Sequence, residues 1–246
     1  MAHRILAIAY VIMLNVAAGA QTPAPAQNLR HFPKDIPRDQ LIQRMREFSF
    51  ALGVRCEYCH DAPEGVPPGP DAFASDVKPA KLKARAMLKM VDQLNSSTLA
   101  ALPSRAEPRV EVTCATCHRG LPLPKTLQTT LYEITERDGA AAAIARYREL
   151  RQTQTLSGRY NFGEWEINEL ARRLTESGDR PAAITILEMN GEFYAKSASI
   201  DFMLAELHLA EGDREKALQR YRLTLEKNPQ HQTAQRRIEE LQKKQQ

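Results

Sequence analysis

The chain has 246 residues, a formal net charge of +4 at pH 7 and only 6% aromatic residues. This length allows one large domain or two small ones, and the predominance of Ala, Leu, Glu, Gln, Arg and Lys favours α-helix. A net charge this small does not indicate the strongly basic surface of a nucleic-acid-binding protein. We therefore predict an all-α protein that has no nucleic-acid partner.

Residues 1–20 have the pattern of a secretory signal peptide. A short basic start at His3 and Arg4 precedes an apolar run, Ile5 to Val16, and small residues suited to cleavage after Ala20. The run is too short to span a bilayer as a mature helix, and no later segment is apolar enough to do so. We therefore expect export to the periplasm and a mature chain without a membrane span, the alternative being an ordinary N-terminal helix.

A first helix is predicted from about Pro37 to Leu52, because apolar residues recur there at helical spacing. The residues of this apolar stripe are Leu41, Met45, Phe48 and Leu52. Gly53 can end the helix. Residues 21–32, which precede it, are rich in Pro, Ala and Gln, so we expect them to be flexible.

A second helix is predicted from about Pro79 to Asn95, after a loop over residues 61–76 that is rich in Pro and Gly. One face of this helix carries Met87, Met90, Val91 and Leu94, and the opposite face carries Lys81, Arg85 and Lys89. We expect the apolar face to point inward and the basic stripe outward. The ordinary interpretation of such a stripe is a solvated face, and the sharper hypothesis is that it steers an acidic redox partner.

Each of the two Cys-x-x-Cys pairs is followed directly by a histidine, at residues 56–60 and 114–118. Cys-x-x-Cys-His is the attachment signature of c-type haem. Thiols at positions i and i+3 of a helical turn lie on one face and add to the haem vinyl groups, and the next imidazole reaches the iron. The predicted attachment residues are Cys56, Cys59, Cys114 and Cys117, and the predicted iron ligands are His60 and His118.

Three other interpretations of the cysteine pairs compete with haem attachment. One four-cysteine zinc site would leave both histidines unexplained. A thioredoxin-like redox motif would be surrounded by alternating strands and helices, which are not predicted here. A simple disulfide in each pair is the third alternative. Two motifs, both followed by His and both behind a signal peptide, favour two covalent haems.

Each iron also needs a sixth ligand, a water molecule or an open position. After the predicted signal peptide, the remaining histidines are His31 in the flexible segment, His208 at a packing position and His231 at a solvated position. Thioether is the other natural ligand, and His/Met ligation raises the reduction potential of haem. We therefore predict Met45 for the first haem and either Met87 or Met90 for the second, with core packing as the alternative role. Periodicity does not choose between Met87 and Met90.

The chain after the Pro-rich boundary at residues 121–124 is helical and repetitive. Positions that recur at an offset of about 34 residues, the period of tetratricopeptide repeats, are Leu170 and Leu204, Ala171 and Ala205, Gly178 and Gly212, and Ala183 and Ala217. Small Ala residues allow close helix approach, and Gly178 allows a left-handed turn. An earlier, imperfect pair is indicated by Ala143 and Tyr147, and residues 230–246 suit a capping helix.

These observations divide the chain into a signal peptide at 1–20, a diheme c-type cytochrome domain at 21–126 and a helical domain like tetratricopeptide (TPR) repeats at 127–246. The alternative for the last part is an unrelated helical bundle. A TPR-like array presents a concave surface for a partner protein.

Part of the sequence resembles a known family. The segments that carry the resemblance are Ala84–Val91, Asn95 and Val112–Gly120. With them, residues 29–124 resemble the cytochrome c subunit of photosynthetic reaction centres and its relatives from non-phototrophs. In that family each haem lies beside a helix whose Met is the sixth ligand, and the first Met of Met-x-x-Met is used, which implies Met87 rather than Met90. The photosynthetic subunit carries four haems, whereas this chain has motifs for two.

The predicted function is electron transfer by a periplasmic diheme c-type cytochrome, with an unidentified redox partner and a protein partner on the TPR-like domain. We do not predict an enzyme. The alternatives are a haem enzyme such as a small peroxidase, and a binding protein or sensor in which haem is structural or detects a ligand.

Overall fold

The computed structural model describes residues 26–104 and 107–243. These residues form helices and turns, with no β-strand among them. The predicted all-α fold class is therefore confirmed, whereas the predicted signal peptide at residues 1–20 lies outside the described part of the chain. Within that part, no helix combines the length and the apolar character needed to cross a membrane.

Before residue 126, the described residues (26–104 and 107–125) contain four α-helices and two short turns of tighter or wider helix. The α-helices are α1 (Arg38–Leu52), α2 (Pro70–Ala74), α3 (Pro79–Gln93) and α4 (Cys114–His118). A 3-10 turn covers Cys56–Tyr58, and a π turn covers Leu94–Thr98. Both helices predicted here are confirmed, whereas residues 61–76, which were predicted to be a loop, contain the short helix α2. Helix α1 ends because Gly53 adopts the left-handed conformation, with φ of 66°, and α3 ends two residues earlier than predicted.

Seven further α-helices follow in residues 127–243, the rest of the described chain, arranged as antiparallel hairpins and a last single helix. They are α5 (Leu127–Asp138), α6 (Ala140–Gln154), α7 (Glu164–Ser177), α8 (Arg180–Phe193), α9 (Ala198–Ala210), α10 (Arg214–Lys227) and α11 (Gln232–Lys243). Helix α5 packs against α6, α7 against α8, and α9 against α10, while α8 contacts α9 and α10 contacts α11. Each hairpin thus packs on the next, as in a TPR-like solenoid.

The predicted repeat corresponds to the hairpins α7–α8 and α9–α10. Gly178 and Gly212 end the first helix of each hairpin, with φ of 95° and 83°. Asp179 and Asp213 then cap the second helix, and each accepts a backbone N–H bond of 3.0 Å three residues ahead. The 34-residue period in the sequence therefore corresponds to a structural repeat, because the same turn and the same helix cap recur in both hairpins.

Small alanines and bulky Tyr or Leu side chains fill the space between the paired helices. Fully buried residues at equivalent positions are Ala143, Ala183 and Ala217, followed four residues later by Tyr147, Leu187 and Tyr221. The hairpin α5–α6 is thus the imperfect earlier pair that the sequence predicted. A large side chain at the alanine position would have to displace a neighbouring helix.

Replacing Ala143 with Leu is expected to destabilise the chain by about 1–3 kcal/mol, because a close-packed interface has no room for extra methylenes. Ala145, on the exposed side of the same helix, provides the matched control, and Ala145→Leu should change stability by less than about 0.5 kcal/mol. Thermal unfolding followed by circular dichroism measures both. Equal effects of the two substitutions would show that α6 is not packed through Ala143.

The segment before α1 was predicted to be flexible, and this prediction is wrong for residues 28–32. Asn28 donates a 2.7 Å hydrogen bond from Nδ2 to the carbonyl of Ala74, and its own carbonyl accepts a 2.9 Å bond from Arg85. The ring of Phe32 stacks on Phe48 of α1, with centroids 6.3 Å apart. These long-range contacts order a segment whose composition alone suggests mobility.

Two of the three remaining histidines differ from expectation. His31 lies 3.6 Å from Asp92 of α3 and packs edge-on against Phe32, so it is not in a flexible segment. His231 was predicted to be solvated, yet its ring lies 4.5 Å from that of Phe202 and its Nδ1 accepts a bond from Ala234 N at the start of α11. His208 is buried, as its packing role predicted.

Candidate functional site

The first cysteine motif forms one tight turn. The backbone amides of Cys59 and His60 both point to the carbonyl of Cys56, at 3.2 and 3.0 Å. In such a 3-10 turn, side chains three residues apart lie on the same side, and here Cys56 is exposed and Cys59 is half-buried. Burial raises the pKa of the Cys59 thiol, and Cys56 raises it further. This local geometry suits two thioether bonds to one planar group.

His60 packs against Phe73, with ring centroids 4.9 Å apart in an edge-on arrangement. Its Nδ1 is buried and has no hydrogen-bond partner among the residues described. Burial, and after it the positive charge of Lys81, lowers the pKa of His60. A lower pKa favours the neutral imidazole, which is the form that binds metal.

An apolar groove lies beside the first motif, between the end of α1 and the loop that follows the motif. Its lining residues include Phe50, Val54, Val66, Pro67, Pro68 and Phe73. Phe50 is 81% exposed, although a helix in a soluble protein normally covers a side chain of this size. The groove therefore offers the apolar surface that a haem ring requires.

The second cysteine motif forms helix α4, and side-chain hydrogen bonds hold both ends of this helix. Thr113 and Thr116 form a capping box, in which the Thr113 amide donates a 2.9 Å bond to the Thr116 hydroxyl. His118 Nδ1 lies 2.8 Å from the carbonyl oxygen of Leu121. Because a carbonyl only accepts, Nδ1 carries the proton and Nε2 keeps its lone pair for a metal.

Asn95 connects α3 to the second motif. Its side chain donates to the Val112 carbonyl and accepts from the Val112 amide, both at 2.8 Å. This pair of bonds holds the extended segment before Cys114 beside the π turn that follows α3. Asn95 was part of the family resemblance, but its positioning role was not predicted, because the sequence does not show which backbone an amide side chain will meet.

The two motifs are held side by side through their backbones. The Gly120 amide, two residues after His118, donates a 2.8 Å bond to the carbonyl of Ala51 near the end of α1. A Cβ atom on Gly53 would lie 2.2 Å from the Gly120 carbonyl oxygen, so only glycine permits this approach. The first motif begins three residues after Gly53. The fold therefore brings together two motifs that are distant in sequence.

The candidate sixth ligands lie on the helices that precede the motifs. Met45 is half-buried on α1, and Met87 and Met90 on α3 are 39% and 41% exposed. Both are therefore exposed, contrary to the expectation that this face of α3 points inward, and their similar exposure leaves the choice between them open. The sixth-ligand roles of Met45 and Met87 stay predictions.

The basic stripe predicted on α3 is wrong for two of its three residues. The Lys81 ammonium is buried and donates to the carbonyls of Phe73, Ala74 and Ser75, at 2.8, 3.2 and 2.6 Å. Arg85 forms a 2.7 Å ion pair with Asp76. Lys89 is exposed. The loop after the first motif folds over this face of α3, because the free carbonyls at the end of α2 need donors.

The geometry also bears on the zinc alternative. Among residues 26–104 and 107–243, no three His, Cys, Asp or Glu side chains are grouped so that they could share a metal ion. The two cysteine pairs therefore do not converge on one site. Two separate Cys-x-x-Cys-His turns, the first of them beside an exposed apolar groove, fit two c-type haems.

Residues 68–162 match the family described as the photosynthetic reaction centre cytochrome C subunit. The predicted resemblance is confirmed. The match includes the second motif and ends within the helical region, whereas the first motif lies before it. Residues 29–124, where the resemblance was expected, overlap the match in part.

A relative and a solved structure are also similar to this chain. Cytochrome c-554 of Chloroflexus aurantiacus is 40% identical over 84 residues, which are 34% of this chain and 18% of that protein. The chain therefore spans less than a fifth of this relative's length. The crystal structure of MamA is 16% identical, with a TM-score of 0.35, and the match covers 48% of this chain and 66% of that one.

Proposed function

We propose that this chain is an exported diheme c-type cytochrome that transfers electrons, with its helical hairpins binding a partner protein. The observation that carries the proposal is the geometry at the second motif. Cys114, Cys117 and His118 share one turn, and the bond from His118 to the Leu121 carbonyl leaves Nε2 available to iron. The family match over this motif supports the same cofactor.

The residues of each motif have separable roles in this proposal. The four cysteines would hold the haems covalently, with His60 and Met45 as iron ligands of the first haem and His118 and Met87 as iron ligands of the second. When bound, haem supplies one-electron chemistry. The backbone contact between Gly120 and Ala51 keeps the two sites adjacent, which shortens the path between them.

We also propose the division into a cytochrome domain at 21–126 and a TPR-like domain at 127–246. The distribution of buried side chains supports it. The two apolar clusters of the described chain lie in residues 127–207 and 205–241, whereas the buried apolar residues of the described part before 127 are Ala51 and Pro68. A domain with so little core of its own fits one that is built around cofactors.

Glu57, the carboxylate next to Cys56, does not support an acid–base role in a haem enzyme. Hydrogen bonds from its own backbone amide and from that of Gly65 lower the pKa of Glu57. Its Oε1 accepts the Gly65 bond at 3.2 Å. This carboxylate therefore ties the loop to the motif as an anion.

The haem content tests this function directly. Expressed in the periplasm of a host with haem-attachment machinery, the protein should gain the mass of two haems, and both should survive denaturation in acid. Replacing Cys56 and Cys59 with Ala should remove one haem, and replacing Cys114 and Cys117 should remove the other. A colourless protein that contains zinc would overturn the proposal, as would two haems that both depend on the same cysteine pair.

A further inference from the structure

A charged cluster lies directly behind the histidine of the first motif. The ring of Phe73 contacts the His60 imidazole, with centroids 4.9 Å apart. The backbone carbonyl of the same Phe73 accepts a 2.8 Å hydrogen bond from the Lys81 ammonium. One residue therefore separates a buried positive charge from the proposed iron ligand.

The Lys81 cluster, which we define as Lys81, Arg85 and Asp76, has two positive charges and one negative charge. Lys81 Nζ lies 3.1 Å from Asp76 Oδ1, and Arg85 Nη1 lies 2.7 Å from Asp76 Oδ2. The bond from Arg85 holds the pKa of Asp76 well below its usual range, so the carboxylate stays ionised in neutral solution. The cluster therefore has a net charge of about +1 at working pH.

The surroundings of the cluster leave this charge only partly screened. The Lys81 side chain is 11% exposed, and its remaining hydrogen-bond partners are neutral carbonyls at the end of α2. Arg85 also donates to the neutral carbonyl of Asn28. Charges that are removed from water act over longer distances than exposed ones, because ions in solution screen them less.

We propose that the Lys81 cluster raises the reduction potential of the haem bound at His60. When this site gains one electron from a redox partner, its local charge falls by one unit, so a fixed positive charge nearby favours the reduced state. The inference rests on the proposed function. It also gives α3 two roles, since the helix that carries Met87 for the second site carries this charge for the first.

Two substitutions in the cluster should shift the potential in opposite directions. Lys81→Met removes a positive charge and should lower the potential, whereas Asp76→Asn removes the negative charge and should raise it. Each shift should be on the order of tenfold in the one-electron equilibrium constant, or about 59 mV. Redox titration of the full chain with both haems measures the two reduction potentials. The potential that shifts should be the one that Met45→Ala also changes, which belongs to the first haem.

Lys83→Met is the matched control, because Lys83 is exposed on the same helix and the substitution removes the same charge. It should leave both potentials nearly unchanged. If the cluster acted only by holding the loop, Lys81→Met and Asp76→Asn would move the potential in the same direction, and that result would overturn the inference. Reduction potentials that are the same in both variants as in the parent protein would also overturn the inference.

Measuring the haem content distinguishes a failure of this inference from a failure of the proposed function. If the parent protein lacks covalent haem, the proposed function fails. If two haems are present and the cluster variants show no opposite shifts, only the inference fails. If Lys81→Met does not fold, Asp76→Asn decides alone, because asparagine keeps the shape of the residue and a hydrogen-bond acceptor for Arg85.

Discussion

Gly53→Ala is expected to destabilise the chain by about 2–4 kcal/mol, and to impair haem incorporation at the second motif. Gly53 has φ of 66°, a conformation that costs alanine free energy. The new Cβ would also lie 2.2 Å from the Gly120 carbonyl oxygen and 2.9 Å from the carbonyl carbon. Because both atoms belong to the backbone, relief requires the end of α1 and the second motif to separate.

Gly65→Ala is the matched control for this substitution. Gly65 also has a positive φ, 76°, but among the described residues no heavy atom lies within 4 Å of a Cβ placed there. Gly65→Ala should therefore lower the free energy of unfolding only by the cost of the backbone conformation, about 1–2 kcal/mol. Denaturant unfolding and haem content measure the two variants together. Equal losses of stability would show that the close approach of Gly53 to Gly120 contributes nothing.

Met87→Ala should convert the second haem to a high-spin or water-ligated form and lower its reduction potential, because water replaces a thioether that favours the reduced iron. The axial ligands set haem potentials over a range of about 0.8 V, so the shift should exceed that of any surface charge. Met45→Ala should have the same effect on the first haem. Optical spectra and redox titration of the variants check both results.

Met90→Ala is the control, because Met90 lies on the same helix and its exposure, 41%, is close to the 39% of Met87. Met90→Ala should leave the second haem low-spin, as judged by its optical spectrum, and should shift the reduction potential of that haem only weakly. A large effect of Met90→Ala with a small effect of Met87→Ala would assign the ligand to Met90. Low-spin spectra in all three variants would contradict methionine ligation at both sites.

The tertiary structure reverses one inference that helical periodicity supported. Lys81 and Arg85 lie opposite the methionines of α3, and the helical pattern therefore predicted a solvated stripe. Periodicity describes two faces of a helix, but it does not show whether a loop covers the polar one. Here the carbonyls of Phe73, Ala74 and Ser75 require donors, and this requirement buries an ammonium group.

The sequence by itself determined the features that depend on near neighbours in the chain. A Cys-x-x-Cys-His turn involves five consecutive residues. The helix end at Gly178 and the N-cap at Asp179 likewise depend only on residues within about one helical turn of them. The repeat at Gly212 and Asp213 follows because identical local geometry recurs. For these features, the residue types and their spacing contain the physical cause, so the amino-acid sequence alone is enough to predict them.

Only the tertiary structure decided how the two motifs meet. The contact of Gly53 with Gly120, and the bonds of Asn95 to Val112, join residues that are far apart in the chain. Such contacts depend on where the backbone passes, and many sequences with the same local pattern would place it elsewhere. The burial of Lys81 behind His60 has the same origin, because it is set by the path of the loop between them.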